Sequence, residues 1–205
     1  MLKIYLARHG QNEDNANGIL NGHRDLPLTT IGESQAVEAA NNIKAAGLVF
    51  DHVFCSPLQR AKRTAEIIAE VNQLPTPQVE DLLIERDFGV MTGIEQSRVE
   101  ELCAPDLIAT KTINYFLSPD HAETFPDLLK RASNLLGQLN SKYSDCSILL
   151  VTHGDFGKMV FAQYYNLDWR DVLQLFHFGN SELLLLSEDS GPGEAHIFKI
   201  LQHNS

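Results

Sequence analysis

The chain alternates short apolar β runs with amphipathic helical segments, and this alternation constrains the fold most. Strands are predicted at residues 3–7, 53–55 and 147–151, each followed by a polar segment and then a helix. Such alternation is typical of α/β folds with a parallel sheet. Two late β runs, at 182–186 and 196–200, flank a Gly191-Pro192-Gly193 turn and predict an antiparallel edge.

The length of 205 residues is enough for one substantial hydrophobic core. With no internal repeat and no linker, the sequence predicts a single three-layer α/β domain over residues 1–205, with a mostly parallel sheet and an antiparallel edge.

Local signals predict where the helices begin and end. Thr30 with Glu33 fits a capping box that starts one helix, and Gly47 is a suitable residue to end it. Ser56 is the expected N-cap of a second helix, which runs to about residue 73. Further helices are predicted at 127–139 and from 154 to about 165, and residues 95–122 are expected to be helical in pieces.

The formal net charge of −11 and the pI of about 5.1 limit the partners of this chain. Binding to nucleic acid or to an anionic membrane needs a basic face, so we expect neither partner. A small anionic substrate remains compatible, because a few arginines create a local positive site. The first residues are too short for a signal peptide, and no apolar run approaches membrane-spanning length, so a cytoplasmic protein is expected.

Four polar islands lie at predicted strand ends, and they contain the candidate catalytic residues. They are Arg8-His9-Gly10, Arg60, Glu85 after residues 82–84, and His153-Gly154. In open α/β sheets, ligands bind outside the carboxyl ends of the strands, so these islands are expected to meet in one crevice.

These residue types together suit phosphoryl transfer. Arginine forks grip phosphate oxygens, one histidine supplies a nucleophile and the other a second donor, and the glutamate supplies a proton. Phosphoryl transfer rests on positioning and charge stabilisation, so this set suffices without a metal ion or cofactor.

Each island also has a purely structural interpretation. Arg60 is compatible with an exposed helix charge, Glu85 with half of a salt bridge to Arg86, and His153 with a turn residue. The isolated histidines at 52, 177 and 196 are expected to be surface or core residues. The joint placement of the islands at the ends of the apolar runs favours a functional site over these alternatives.

At these residues the sequence resembles the histidine phosphatase superfamily, also called the phosphoglycerate mutase-like family. The resemblance spans residues 4–154, and the matching segments appear in the family's order. They are Leu6-Ala7-Arg8-His9-Gly10-Gln11-Asn12-Glu13-Asp14-Asn15, Gly22, Asp25-Leu26-Pro27-Leu28-Thr29, Cys55-Ser56-Pro57-Leu58-Gln59-Arg60-Ala61, Thr64-Ala65, Glu85-Arg86-Asp87-Phe88-Gly89 and Val151-Thr152-His153-Gly154.

The resemblance implies a role for each matching residue. The phosphorylated nucleophile would be His9, and Glu85 would act as general acid and then as general base. The phosphate pocket would be lined by Arg8, Arg60 and His153, and the substrate would also be contacted by Asn15, Asn21, Gly22 and Gly154. To attack phosphorus, His9 needs one unprotonated ring nitrogen, and its other nitrogen needs an acceptor that the sequence does not reveal.

The family contains both phosphatases and mutases, and the segment after the glutamate motif bears on the choice. The glycolytic mutases carry a basic insert there, whereas residues 95–122 contain only Arg98, Lys111 and His121 as basic or titratable nitrogen groups. The Met91-Thr92-Gly93 segment also departs from the Glu-Gly ending common among the phosphatases. We favour a phosphatase acting on small phosphomonoesters, with a cofactor-dependent phosphoglycerate mutase as the alternative.

Other readings are less favoured. A phosphate-binding module without catalysis would be expected to lack His9, Arg60 or Glu85, and all three are present. Cysteine-dependent phosphatases need five residues between cysteine and arginine, and Cys55 is one residue too close to Arg60. The neighbouring His23 and Arg24 lie in the predicted pocket loop, where they either select the substrate or face solvent. The oligomeric state is not predicted.

Overall fold

The computed structural model describes residues 1–202, so the last three residues of the predicted domain, 203–205, lie outside the described part. Eight strands are present in this part. They are β1 (Lys3–Arg8), β2 (His52–Cys55), β3 (Gln78–Val79), β4 (Leu107–Ala109), β5 (Asn114–Phe116), β6 (Ser147–Thr152), β7 (Leu183–Leu186) and β8 (His196–Phe198).

Six of these strands form the main sheet, in the order β3-β2-β6-β1-β7-β8. The pairs β3–β2, β2–β6 and β6–β1 are parallel, while β7 runs antiparallel to both β1 and β8. The prediction of a mostly parallel sheet with an antiparallel edge is therefore confirmed.

Helices cover both faces of this sheet. The helices are α1 (Glu13–Ala16), α2 (Thr30–Ala45), α3 (Gln59–Asn72), α4 (Val99–Cys103), α5 (Phe125–Lys142), α6 (Gly154–Tyr164) and α7 (Trp169–Leu175). The side chains of β1 alternate between two cores: Tyr5 and Ala7 pack with α2 and α3, whereas Ile4 and Leu6 pack with α5, α6 and α7. This alternation follows from the two-residue period of a strand and gives the predicted three layers.

Helix α2 does start at Thr30, but the predicted N-caps of α2 and α3 are wrong by one and two residues. The N-cap of α2 is Thr29, whose hydroxyl accepts a hydrogen bond from Gly32 N at 3.0 Å. Helix α3 begins at Gln59 without a side-chain cap, because its N-cap residue is Leu58, which has no polar side-chain atom. The Ser56 hydroxyl accepts from Leu58 N at 3.3 Å and lies 2.7 Å from His153 Nε2. Gly47, with a φ of +64°, does follow the end of α2, and that prediction is confirmed.

The segment before Glu85 is not a strand. A short 3-10 turn spans Asp81–Leu83, and the backbone then runs irregularly into Glu85. The guanidinium of Arg131, on α5, donates to the carbonyl oxygens of Leu82 at 2.8 Å and Ile84 at 2.6 Å. This side chain takes the place of a neighbouring strand by satisfying backbone acceptors that are otherwise left without a partner.

Residues 95–122, which we call the cap segment, depart further from the prediction. They start with helical pieces, a 3-10 turn at Gln96–Arg98 and then α4, but continue as the hairpin of β4 and β5. The predicted helical pieces are right for the first part and wrong for the hairpin. The cap segment packs on the domain through a cluster of Leu20, Phe88, Met91, Val99 and Phe116.

The sequence also left α7 unpredicted. Within residues 1–202, no helix is long and apolar enough to cross a membrane.

Candidate active site

A cavity of about 240 Å³ lies at the carboxyl ends of β1 and β6, partly under the cap segment. It brings together the four polar islands of the sequence. The predicted site residues that line it are Arg8, His9, Asn15, Asn21, Arg60, Glu85 and Gly154. The other two, His153 and Gly22, lie against the cavity-lining residues His9 and Arg60.

The imidazole of His9 is 2% exposed and has a defined tautomer. Its Nδ1 lies 2.6 Å from the carbonyl oxygen of Gly10, which only accepts, so Nδ1 carries the proton. The lone pair is therefore on Nε2, which accepts a 3.3 Å hydrogen bond from Arg60 Nε. Burial first, and then the charges of Arg60 and Arg8, hold the pKa of His9 well below its usual value. This histidine is neutral at pH 7 and has one unprotonated ring nitrogen, Nε2.

The backbone around His9 is held from several sides. The carbonyl oxygen of His9 accepts from Asn180 Nδ2 at 2.9 Å, and Gly10 N donates to the Thr64 hydroxyl at 3.0 Å. A Cβ on Gly10 would lie 2.3 Å from the carbonyl oxygen of Gly32 on α2. Glycine at both positions lets the backbone that follows His9 approach the backbone of α2 closely, which fixes the position of His9.

Arg60 lies on the first turn of α3 and is 0% exposed. Besides its bond to His9, it donates from Nη1 to the carbonyl oxygen of Arg24 at 2.6 Å and from Nη2 to that of Gly22 at 3.0 Å. Burial lowers its pKa to about 10, so the guanidinium stays charged. The predicted role of Gly22 was contact with substrate, and the structure shows it anchoring Arg60 by its carbonyl group.

Arg8 supplies the second guanidinium of the cavity. Its Nη1 donates to the carbonyl oxygen of Phe178 at 2.8 Å, and its buried Nε has no hydrogen-bond partner within residues 1–202. A Cβ on Gly154 would lie 3.5 Å from Arg8 Cζ, so this glycine leaves the guanidinium face open. Burial lowers the pKa of Arg8, and the charge of Glu85 counters that shift. Two arginines with spare N–H groups therefore adjoin His9.

His153 is a buried member of the site and not a turn residue. Its ring centroid lies 5.0 Å from that of His9, and its Nε2 lies 2.7 Å from the hydroxyl oxygen of Ser56. Its Nδ1 is buried and has no hydrogen-bond partner in the described part of the chain. Burial and the charge of Arg60 hold the pKa of His153 well below its usual value.

The carboxylate of Glu85 is held by backbone N–H groups. Its Oε1 accepts from Arg86 N at 2.8 Å and from Phe156 N at 3.0 Å, and its Oε2 accepts from Asp155 N at 3.3 Å. The N-terminal N–H groups of α6 therefore bind this carboxylate. The proposed salt bridge between Glu85 and Arg86 is not what the structure shows.

Arg86 instead ties the cap segment to the domain. Its guanidinium donates to the carbonyl oxygens of Phe116, Leu117 and Glu123 at 2.6–2.9 Å.

The loop residues Asn15 and Asn21 line the cavity and are held by amide pairs. Asn21 Oδ1 accepts from Asn12 Nδ2 at 2.6 Å, and Asn15 Oδ1 accepts from Asn180 Nδ2 at 3.3 Å. These bonds leave the NH₂ groups of Asn15 and Asn21 as the donors they can offer to a ligand.

The two loop residues whose roles the sequence left open have partners in the protein. His23 Nε2 lies 2.9 Å from the carbonyl oxygen of Glu85, and Arg24 Nε donates to Asp14 Oδ2 at 2.9 Å. Asp14 itself lines the cavity. Each side chain therefore holds a cavity-lining residue in place through a hydrogen bond, His23 with Glu85 and Arg24 with Asp14.

Sequence reasoning missed several side chains that line the cavity, above all Asp155, Lys158 and Tyr115. Asp155 and Lys158 follow the His153-Gly154 motif at helical spacing, so the motif itself could have pointed to them. Tyr115 belongs to the unpredicted hairpin and gave no signal. Burial and the charge of Glu85 raise the pKa of Asp155 to about 6.

The lowered pKa values of His9 and His153 predict a loss of stability in acid. The unfolded chain protonates both near pH 6.5 and the folded protein does not, so stability falls as the pH drops below that value. The raised pKa of Asp155 has the opposite effect: below pH 6 the folded protein takes up this proton more readily than the unfolded chain does, which adds stability. We expect a net loss of about 1–2 kcal/mol between pH 7 and 5.5, measurable by urea unfolding.

The matched variant for this prediction is His9→Asn, which cannot take up that proton and should show about half of the histidine-dependent loss. Unfolding free energies that stay level or rise between pH 7 and 5.5 would contradict the prediction.

Comparison with known proteins finds similar sequences and similar structures. The sequence model described as histidine phosphatase superfamily (branch 1) matches residues 4–199. The chain is 34% identical over 126 residues to the 2,3-bisphosphoglycerate-dependent phosphoglycerate mutase of Bartonella quintana, covering 60% of this chain and 61% of the mutase. It is 35% identical over 154 residues to the uncharacterized phosphatase PhoE of Bacillus subtilis, covering 75% of this chain and 72% of PhoE.

Solved structures show the same fold. A mycobacterial glucosyl-3-phosphoglycerate phosphatase superimposes with a TM-score of 0.76 at 24% identity, covering 90% of this chain and 92% of that one. The phosphoserine phosphatase of Entamoeba histolytica, in complex with 3-phosphoglyceric acid, gives a TM-score of 0.76 at 24% identity and covers 99% of both chains.

Proposed function

This chain belongs to branch 1 of the histidine phosphatase superfamily, and from that membership we propose that it hydrolyses phosphate monoesters through a phosphohistidine on His9. The observation that carries the proposal is the unprotonated Nε2 of a neutral, buried His9 beside two guanidiniums, one of which, that of Arg60, donates to it. A neutral imidazole nitrogen is a nucleophile, and flanking arginines suit a phosphate dianion.

In the first step, His9 Nε2 attacks phosphorus while the bond to the ester oxygen breaks. Arg8 and Arg60 stabilise the charge on the equatorial oxygens, with Arg60 exchanging its bond to His9 for one to phosphate. The leaving alkoxide takes a proton, and we assign that donor role to Glu85. Because Gly10 holds the proton on Nδ1, the phosphorylated imidazole keeps its positive charge beside a carbonyl acceptor.

In the second step, a water molecule attacks the phosphohistidine. Glu85, now a carboxylate, takes a proton from that water, the phosphorus–nitrogen bond breaks, and inorganic phosphate leaves. Glu85 is thereby protonated again, and His9 returns to its neutral form. No step requires a metal ion, because the guanidiniums supply the positive charge.

The cap segment favours a phosphatase over a mutase. Its contribution to the cavity is uncharged, through Gln96, Thr112, Asn114 and Tyr115 among others. Its one arginine, Arg98, pairs with Glu101 at the surface. The cap segment therefore adds no positive charge to the cavity. A mutase would need such a charge to keep its intermediate bound until the second phosphoryl transfer.

Mutase activity is the second candidate, since relatives such as the Bartonella enzyme carry that name. A binding module without catalysis is the third, and the complete set of His9, Arg60 and Glu85 weighs against it.

The proposal predicts phosphate release in the presence of a chelator. Purified protein is incubated with EDTA and a panel of phosphomonoesters that includes 3-phosphoglycerate, and free phosphate is measured. We expect release that EDTA does not reduce, because arginines supply the positive charge. Products from 3-phosphoglycerate are also separated, because the 2-isomer without phosphate release would identify a mutase. Absence of any reaction across the panel would favour the binding module.

A further inference from the structure

Lys158 is a buried cation that the proposed chemistry does not use. It lies on α6, one turn beyond Gly154, is 6% exposed and lines the cavity. Its ammonium donates to the hydroxyl oxygen of Tyr115 and lies 4.9 Å from the centroid of that ring. Buried ammonium groups are costly unless an anion pairs with them, so the surroundings of Lys158 are informative.

No carboxylate of residues 1–202 lies within 4.0 Å of Lys158 Nζ. The three acidic groups that line the cavity each have another partner. Glu85 accepts its backbone N–H bonds, Asp14 pairs with Arg24 at 2.9 Å, and the nearest cation to Asp155 is Arg86 at 3.6 Å. Lys158 is therefore the cavity's lysine without an ion pair within 4.0 Å; at longer range the charges of Asp155, Arg8 and Glu85 act on it.

Once Lys158 donates to Tyr115, the groups of this pair that remain for a ligand are mainly donors. Tyr115 Oη accepts from Lys158, so the hydroxyl hydrogen of Tyr115 remains available, together with two N–H groups of the ammonium. Burial raises the pKa of Tyr115, which keeps the hydroxyl protonated. Burial lowers the pKa of Lys158 to about 8, so the ammonium is still mainly charged at pH 7. An oxyanion is the ligand that satisfies these donors.

We propose that Lys158 and Tyr115 form a second subsite, which binds an anionic group on the organic part of the substrate. The substrate class is then a phosphomonoester that also carries a carboxylate or a second phosphate. Its ester phosphate occupies the arginine pocket at His9, and its other anion reaches Lys158. Apolar walls from Ile19, Ile113 and Phe116 accommodate the short carbon skeleton. This inference rests on the proposed phosphatase function and specifies its substrate.

Matched substrate pairs test the subsite by kinetics. Phosphoglycolate is compared with ethyl phosphate, and propane-1,3-diol bisphosphate with propyl phosphate, so that each pair differs only in the second anion. In at least one pair, we expect kcat/KM to be about tenfold higher or more for the member that carries the second anion. A tenfold difference corresponds to about 1.4 kcal/mol. The preferred pair distinguishes a carboxylate from a second phosphate.

Variants of the subsite should abolish this preference selectively. In Lys158→Met, we expect KM for the preferred substrate with two anionic groups to rise about tenfold, while kcat/KM for its partner that lacks the second anion falls much less. Tyr115→Phe keeps the ring and should show a smaller loss of the same kind. The control is Lys142→Met, because Lys142 also lies near a tyrosine ring, 5.1 Å from the centroid of Tyr143, but on the exposed side of α5.

The two proposals fail in different ways. Hydrolysis of all four esters without preference for those that carry a second anion would overturn the subsite and leave the proposed phosphatase function intact.

If no ester is hydrolysed, binding to the His9→Ala variant is measured by calorimetry, which needs no turnover. Phosphoglycolate or the bisphosphate should bind His9→Ala more tightly than its matched ester, and this difference should disappear in the double variant His9→Ala/Lys158→Met. Equal binding of the paired compounds to His9→Ala would refute the subsite. Melting temperatures show whether each variant is folded.

Discussion

The His9→Ala variant is expected to lose phosphatase turnover by about 10⁴-fold or more, a barrier increase of about 5.5 kcal/mol. The expected loss is large because the imidazole supplies the bond to phosphorus, and no neighbouring group can replace it. His153, whose ring lies 5.0 Å away, has its Nε2 engaged with Ser56 and is not oriented by the carbonyl of Gly10. Phosphate release and acid-labile phosphate on the protein should disappear together.

The control for this variant is His52→Ala. His52 is a partly buried histidine on β2 that packs on Tyr143, away from the cavity, so its loss should leave turnover unchanged. Folding of His9→Ala is checked by its melting curve. A folded His9→Ala protein that keeps more than about one hundredth of the activity would show that phosphoryl transfer does not pass through His9.

Five of the six strands of the main sheet could be predicted because their signals are local; β3 was not predicted. Strand β1 and strand β6 are continuous apolar runs, as expected for strands covered on both faces, and each ends directly in an Arg-His-Gly or Thr-His-Gly segment. The antiparallel edge followed from the short turn around Pro192, which leaves no room for a crossover helix.

The misplaced elements depend on contacts that are distant in sequence. The backbone before Glu85 is satisfied by Arg131, some 46 residues away, so nothing near Glu85 shows that a strand is absent. The hairpin of the cap segment is tied down by Arg86, which donates to Phe116 at 2.9 Å and packs on its ring. Local propensity in a polar segment does not report such anchoring.

In the candidate site, too, the sequence reveals some features and not the contacts between residues that are distant in the chain. Motif residues such as Arg8 and Glu85 could be named because their types and order match a family pattern, but their hydrogen-bond partners could not. The acceptor for His9 Nδ1 is the carbonyl oxygen of the next residue, a backbone group that every sequence contains. The pairing of Lys158 with Tyr115 joins α6 to the cap hairpin and required the fold to be known.

The Glu85→Gln variant is the second test with a large expected effect, and its result should depend on the leaving group. An alkyl phosphate releases a strongly basic alkoxide that needs a proton, whereas p-nitrophenyl phosphate releases a stable phenolate. We expect kcat/KM to fall by about 10³-fold for the alkyl ester, or about 4 kcal/mol, and by less than about tenfold for the nitrophenyl ester. The ratio kcat/KM reports the steps up to leaving-group departure, so the slower hydrolysis step does not obscure this comparison.

Glu85 also binds the N-terminus of α6, so a purely structural role must be distinguished from proton transfer. Glutamine replaces one acceptor oxygen with an NH₂ group that faces the backbone N–H donors of Asp155 or Phe156, and this disturbs α6 equally for every substrate. Equal losses on both esters would therefore identify Glu85 as a positioning residue. If Glu85 is the acid and base, the variant given p-nitrophenyl phosphate should release one equivalent of nitrophenolate rapidly and accumulate phosphohistidine, because activation of water in the second step still requires the missing carboxylate.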